Sequence, residues 1–265
     1  MTTQPLKLMC ILAHPDDESL GTGGILAKYA AEGIETYLVT ATRGERGWYG
    51  DEREHPGLDV LGRAREAELL AAAEVLGIRE VHFLDYIDGE LDQAHPAEAI
   101  AKIVGHVRRV KPDVVVTFDA EGSYGHPDHI AISQLTTAAL VEAADPYSSY
   151  YHDLPAHSVA KLYYMAATKE LLAVYQTVFG ELVMHIDDVE RRGQGWLDWA
   201  ITTKVDAEPY RHTVWQAVRC HRSHRLEQVS EAQHKILWNS QTYYRVFSRV
   251  NGGRRLEHDL FEGLR

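Results

Sequence analysis

The chain has 265 residues, 45% of them hydrophobic and 25% charged, with a formal net charge of −12 at pH 7. That length supports one large domain or two small ones with a substantial core, and the acidic balance argues against nucleic acid or an anionic membrane as partner, since both select clustered Lys and Arg. Two distant cysteines, Cys10 and Cys220, give no disulfide framework, no signal-peptide pattern opens the chain, and no stretch approaches the roughly 20 apolar residues of a membrane helix, so a cytoplasmic location is expected.

In chain order, Lys7–Ala13 (KLMCILA) is a short apolar run that reads as a buried strand, with Cys10 a reduced core residue. Gly21–Gly33 sets Ile25-Leu26 and Tyr29-Ala30 at helical spacing and closes on Gly33, a helix with a glycine stop. Thr36–Ala41 is the next strand. Leu61–Gly77 carries Leu69, Leu70, Ala73 and Leu76 at helical spacing and again ends on glycine. Val81–Leu84 reads as a strand, Pro96–Val110 as a helix with proline near its start, Asp113–Phe118 as a strand and Pro127–Ala144 as a helix. This alternation predicts an α/β fold, a Rossmann-like and mostly parallel sheet with helices on both faces. Ligands of such sheets bind at the carboxyl ends of the strands.

After about residue 145 the pattern loosens. Asp145–His157 is polar and reads as a loop, Lys161–Ala167 as a strand, Ile201–Asp206 as a short edge strand, and Tyr210–His221 and Ser230–Trp238 as helices. Trp196, Trp199, Trp215 and Trp238 read as core anchors, because large aromatics mostly serve packing. With no repeat, low-complexity tract or linker, the expectation is one domain over residues 1–265, a core of about 6–145 and a C-terminal elaboration of about 146–265.

Fifteen histidines make an isolated one uninformative, so weight falls on those among carboxylates at strand ends. The first such cluster is His14-Pro15-Asp16-Asp17-Glu18, directly after the first strand. On a turn toward the next helix, His14 and Asp17 converge as one nitrogen and one oxygen ligand of a metal. Asp16 then points to the other side, placed to take a proton from water that a metal has acidified. Glu18 either supports a ligand from behind or caps the helix near Leu20; singly, each of these acids reads as a helix N-terminal carboxylate. The second cluster, His126-Pro127-Asp128-His129, follows the Asp113–Phe118 strand. His129 would supply a third ligand and leave one position for water. His126 would stay unligated, to stabilise an oxyanion or, when protonated, to donate a proton, with Asp128 holding its imidazole. Gly21-Thr22-Gly23-Gly24 matches neither a dinucleotide fingerprint nor a phosphate loop, and no serine or cysteine sits in a nucleophile motif.

Ala13-His14-Pro15-Asp16-Asp17-Glu18 together with Gly122-Ser123-Tyr124-Gly125-His126-Pro127-Asp128-His129 resembles the PIG-L/LmbE-like zinc deacetylases, from Leu8 to about residue 142 and more weakly over Ile201–His224. The resemblance implies Zn²⁺, with Fe²⁺ as the alternative, held by His14, Asp17 and His129. It implies Asp16 as general base, and His126 as electrostatic stabiliser and general acid with Asp128 as its partner. Tyr124 would assist at the oxyanion, and Arg65 and Asp88 would contact the sugar. Arg65 is counted back from Gly77 and leaves its neighbour Arg63 open; without the family, Arg65 reads nearly as well as a surface ion pair with Glu66 or Glu68, and Tyr124 as packing. His221-Arg222-Ser223-His224 departs from the family, with histidine where many members carry glutamine after H-x-S.

The implied activity is zinc-dependent removal of acetyl from an N-acetylglucosamine-type amino sugar or conjugate, a small-molecule partner. One rival is an amidase releasing a larger acyl group from a thiol-sugar conjugate. Another is a non-catalytic zinc-containing carbohydrate-binding protein, against which Asp16 and His126 count. A nucleotide-binding α/β protein is disfavoured by the missing phosphate loop. Specificity is expected from Arg43–Leu61, where Trp48 and Tyr49 either stack on a sugar or pack the loop, and from Asp145–His157. A homo-oligomer is left open.

Overall fold

The structure is a computed structural model that describes residues 5–48, 50–148, 153–186, 188–224, 229–253 and 255–265; Tyr49 and residues 149–152 of the expected specificity segments lie outside them. The described strands are β1 (Lys7–Leu12), β2 (Glu35–Thr42), β3 (Glu80–Tyr86), β4 (Val114–Thr117), β5 (Lys161–Met165), β6 (Val183–Ile186), β7 (Val189–Arg192), β8 (Thr203–Asp206) and β9 (Ser240–Ser248). The helices are α1 (Asp17–Leu20), α2 (Gly23–Ala31), α3 (Leu58–Leu76), α4 (Pro96–Val110), α5 (Gly122–Gly125), α6 (Pro127–Ala144), α7 (Lys169–Phe179), α8 (Arg211–Val218) and α9 (Glu231–Trp238).

Seven strands form one sheet in the order β3-β2-β1-β4-β5-β9-β8, and β6 pairs with β7 in a separate ribbon. The pairs among β1 to β5 are parallel, whereas β9 runs antiparallel to both β5 and β8. Leu8–Leu12 and Val114–Val116 are fully buried, as parallel strands covered on both faces must be, which is why each reads as an unbroken apolar run. The helices gather in two groups, α2 and α3 with α8, and α4 with α6. Right-handed crossovers produce this division when the strand order reverses at β1. No described helix is long and apolar enough to cross a membrane.

Several expectations shift. The helix expected over Gly21–Gly33 is α2, and a separate short helix, α1, precedes it over Asp17–Leu20. Trp238 is fully buried, but Trp199 is 83% exposed and anchors no core. Four elements of the C-terminal half lie outside the expected pattern: α7, the β6–β7 ribbon and β9. The ribbon is mostly exposed and α7 half-buried, so neither carries the apolar run that marks a core element, and β9 mixes polar residues into its buried face at Gln241 and Tyr243.

A buried polar network pins β5, β8 and β9 to the C-terminal segment. Lys161 Nζ and Arg245 Nη1 each lie 2.8 Å from Glu257 Oε1, while Tyr163 and Thr203 donate their hydroxyls to Oε2 at 2.7 and 2.9 Å. Burial would raise the Glu257 carboxyl, but the Lys161, Tyr163, Asn251 and Thr203 hydrogen bonds outweigh it and hold it at about 2. Glu257→Gln leaves a fully buried Lys161 charge without its counter-charge, a change that costs about 3–5 kcal/mol in such pairs. Because the folded-state value is depressed, the stabilisation is present above the usual glutamate value of 4.5 and is lost as pH falls toward 2. Urea unfolding of both proteins should therefore show a large gap at pH 7 that narrows across that acid window.

Candidate active site

The strand order reverses between β1 and β4, which pair in parallel register from Leu8↔Val114 to Cys10↔Val116. A crevice opens at the carboxyl ends of two such strands, and both histidine clusters emerge there. After β1 the backbone turns sharply. Asp16 takes φ 121°, a conformation rare for a residue with a Cβ. Glu18 Oε2 accepts the Asp16 N–H at 2.9 Å, and the Asp16 carbonyl accepts the N–H groups of Ser19 and Leu20 at 3.0 and 2.8 Å. Asp17 Oδ2 accepts the N–H groups of Ala13 and His14 at 3.1 and 2.7 Å. After β4, Gly122 has φ 60° and lies so close to α6 that a Cβ would stand 2.9 Å from the His129 Cβ. Phe118 stacks on the His129 ring at 3.8 Å.

The central geometry is that of His14, His129 and Asp17. His14 Nδ1 and His129 Nε2 face each other at 3.1 Å. Asp17 lies beside them, Oδ2 at 3.8 Å from His14 Nδ1 and Oδ1 at 3.7 Å from His129 Nε2. The outer nitrogens are both occupied: His14 Nε2 donates toward Asp128 Oδ2 and Asp88 Oδ1, each at 3.1 Å, and His129 Nδ1 toward the Gly122 carbonyl at 3.3 Å. With their protons outward, the two inner nitrogens present lone pairs to one point beside a carboxylate. A cation satisfies that arrangement, and two imidazoles with one carboxylate suit zinc with a position left open. Carboxylate or carbonyl acceptors behind the ligating histidines are the usual means of fixing their tautomer. His126 is the alternative third donor, since its ring nitrogen and those of His14 and His129 lie within 4.8 Å of one another. His14, Asp88 and Asp128 form a second group by the same measure, but two carboxylates around the outer nitrogen hold its proton.

The electrostatics follow the packing. Burial would lower His14, yet the Asp128 and Asp88 bonds outweigh it and raise its affinity for a proton. Burial, with His14 next to it, drives His129 well down and His126 down to about 4. Burial and the Asp16 charge push Asp17 up to about 7. For Asp16, burial acts upward but the facing His224 and Arg65 charges prevail and hold the carboxyl below its ordinary range.

Asp16 is thus set apart from its neighbour. His224 Nε2 is in hydrogen-bond contact with Asp16 Oδ2, and Arg65 Nη2 lies 3.4 Å from the same oxygen. Arg65 is 2% exposed. Instead of pairing with Glu66 or Glu68 or standing free for a sugar, it donates to the carbonyls of Gly44 at 2.7 Å and Pro15 at 2.6 Å and so braces the turn that carries Asp16. Gly44 and Gly47 are needed beside it, because a Cβ at either would overlap the guanidinium, at 2.4 and 2.0 Å from Nη1. Arg63 is exposed. Glu66 pairs with Arg43, and Glu68 accepts the Ser223 N–H and hydroxyl at 3.0 and 2.7 Å. His221 donates to buried Glu18 at 2.7 Å. The late H-x-S-H string therefore ties to Glu18, Glu68 and Asp16 in turn, a role the sequence left open.

Other expected roles change. Asp128 was to hold the His126 imidazole, but its carboxylate takes His14 Nε2 and the N–H groups of Gly89 and Leu91 at 2.7 and 3.0 Å. It is the Asp128 backbone N–H that His126 Nδ1 accepts, at 3.2 Å, as the N-cap of α6. Asp88 lines the site, yet its oxygens are given to His14 and to the Arg46 N–H at 3.1 Å instead of to a sugar. Tyr124 turns its ring edge to His126 and His129, at 6.0 and 5.5 Å between centroids. Trp48 packs its own loop, donating to the Asp51 carbonyl at 3.0 Å. Asp119, which the motifs do not single out, accepts the Trp196 indole N–H at 2.7 Å and the Ser123 N–H at 2.9 Å.

These groups open into one cavity of about 1030 Å³, lined by His14, Asp16, Asp17, Tyr124, His126 and His129 at one end and by residues of α7, α9 and the Trp196 segment elsewhere. The profile of the PIG-L family, described as GlcNAc-PI de-N-acetylase, matches residues 9–140. The 1D-myo-inositol 2-acetamido-2-deoxy-alpha-D-glucopyranoside deacetylase of Thermomonospora curvata is 34% identical over 100% of this chain and 99% of its own. The structure of the N,N'-diacetylchitobiose deacetylase of Pyrococcus horikoshii superimposes with a TM-score of 0.67 at 21% identity, over 92% of this chain and 84% of that one. The 4-carboxy-2-hydroxymuconate hydratase GalB of Pseudomonas putida has the same fold, with a TM-score of 0.66 at 19% identity, over 94% of this chain and 99% of that one. Fold alone thus does not fix the reaction, but the sequence match over the whole length does fix descent: the chain belongs to the PIG-L deacetylase family.

Proposed function

We propose that this enzyme removes the N-acetyl group from an N-acetylglucosamine-type amino sugar or conjugate by metal-dependent hydrolysis. His14, Asp17 and His129 would hold the cation, zinc by the character of the donors. The observation that carries the reading is the meeting of two imidazole lone pairs at 3.1 Å beside Asp17, with Asp16 turned away into the same cavity. Full-length similarity to an amino-sugar deacetylase supports the substrate class.

A divalent cation bound there supplies Lewis-acid polarisation of a carbonyl oxygen and acidifies water to a pKa of about 7. Asp16, kept ionised by Arg65 and His224, accepts the proton of the attacking water and returns it to the departing nitrogen. His126 donates Nε2–H to the amide oxygen as charge develops on it, since its Nδ1 is committed to the Asp128 N–H. This tautomer makes His126 a neutral hydrogen-bond donor, which differs from the general acid expected from the motif. Arg65 and Asp88 act one step back, bracing Asp16 and His14.

Asp16→Asn should lower kcat by about 10²–10⁴, with zinc content close to that of the parent protein by elemental analysis. Turnover near the parent value in metal-replete Asp16→Asn sinks the assignment. Asp128→Asn should instead weaken metal affinity by about 10–100-fold, read by competition with a chromogenic chelator, and its activity should recover as zinc is added. Unchanged affinity in Asp128→Asn would place Asp128 outside the metal site.

A further inference from the structure

The cavity is larger and more apolar than an acetyl group and a single sugar require, and its apolar part has a definite place. It lies on the β5 side of the metal ligands, opposite Arg65 and Asp88. Leu171, Leu172, Tyr175 and Val178 of α7 form one wall, and Trp196 and Leu197 face it. The polar atoms of these walls are already used. Trp196 gives its indole N–H to Asp119 and Tyr175 its hydroxyl to the Leu20 carbonyl at 2.7 Å. Gln241, also on the lining, accepts the Ile25 N–H at 2.8 Å and donates to the Gly21 carbonyl at 2.7 Å. Along the α7 wall what remains toward the cavity is mostly hydrocarbon, while Gln194 and Gln233 add polar groups elsewhere on the lining. Sugar hydroxyls laid against Leu171, Leu172 and Val178 would lose water without gaining partners there. The apolar lining reaches the surface at Leu197, which is 45% exposed.

We propose that the substrate carries an extended apolar chain, of several methylenes or an equivalent hydrocarbon, and that this chamber binds it while the amide lies at His14 and His129. The proposal rests on the deacetylase reading and narrows its substrate class. The same chemistry arises from two sources, an acyl group longer than acetyl or a hydrophobic group at the glycosidic position.

The test compares three substrates below their micellar concentrations, with free-amine detection on zinc-loaded enzyme: N-acetylglucosamine, its octyl β-glycoside, and N-octanoylglucosamine. Each buried methylene contributes a factor of about four, so one of the octyl sugars should exceed N-acetylglucosamine in kcat/KM by at least about tenfold. Whichever arm gains identifies the side on which the chain sits. Leu172→Asp should collapse that ratio toward one. Independently of turnover, titrating the octyl β-glycoside into metal-free protein should change tryptophan fluorescence through Trp196, and Leu172→Asp should abolish the change. Cleavage of N-acetylglucosamine with no gain for either octyl sugar overturns the chamber proposal and leaves the deacetylase reading standing. Cleavage of none overturns the deacetylase reading, and the fluorescence titration then decides the chamber by itself.

Discussion

The site turns on two imidazole nitrogens, His14 Nδ1 and His129 Nε2, held 3.1 Å apart. Each is forced there by what stands behind it: Asp128 and Asp88 hold the outer proton of His14, and the Gly122 carbonyl holds that of His129. At that spacing the inner nitrogens are placed either to share a proton or to coordinate a cation. The requirement reaches into the fold. Asp128 is anchored by the N–H groups of Gly89 and Leu91 from the loop after β3, and Gly122 can approach α6 only because it has no Cβ. The packing of β1, β3 and β4 ends is thereby coupled to the spacing of two nitrogens.

The division of labour between adjacent carboxylates has a similar origin. Asp17 is wrapped by the N–H groups of its own turn, while Asp16, in a strained backbone conformation, is turned toward Arg65 and His224. Neighbours in sequence thus experience opposite fields, one beside another carboxylate and the other against the Arg65 guanidinium and the His224 imidazole. Strain of this kind persists only where surrounding contacts over-determine it, and here Glu18 and His221 supply them.

The parallel half of the sheet was legible because β1 and β4 are buried on both faces and leave continuous apolar runs. The two clusters were legible because their residues lie within a few positions of one another at strand ends. What lay across long sequence distances was not. Neither sequence reading of Arg65, sugar contact by resemblance or a surface ion pair, contains its hold on the Gly44 and Pro15 carbonyls, and nothing in H-x-S-H shows that His224 meets an aspartate more than two hundred positions away. Asp128 was assigned to its neighbour His126, but the α6 cap geometry gives His126 the backbone and turns the carboxylate toward His14. Trp196 was read as a core anchor, and its hydrogen bond to Asp119 makes it a wall. The amphipathic α7 and the mixed face of β9 left too weak a period to stand out, and α7 supplies much of the cavity lining.

The tie between Glu18, Asp16 and the 221–224 segment has a consequence in time. Ribosomal synthesis delivers His14, Asp17 and His129 within the first half of the chain, and N-terminal portions generally begin to fold as they emerge. The proposed set of ligands is therefore complete before the proposed base is braced. Asp16 acquires its brace only when His221 and His224 leave the exit tunnel, well after His129. A nascent chain with every proposed metal donor in place still lacks the contacts that hold Asp16, and a late segment supplies them to an early residue.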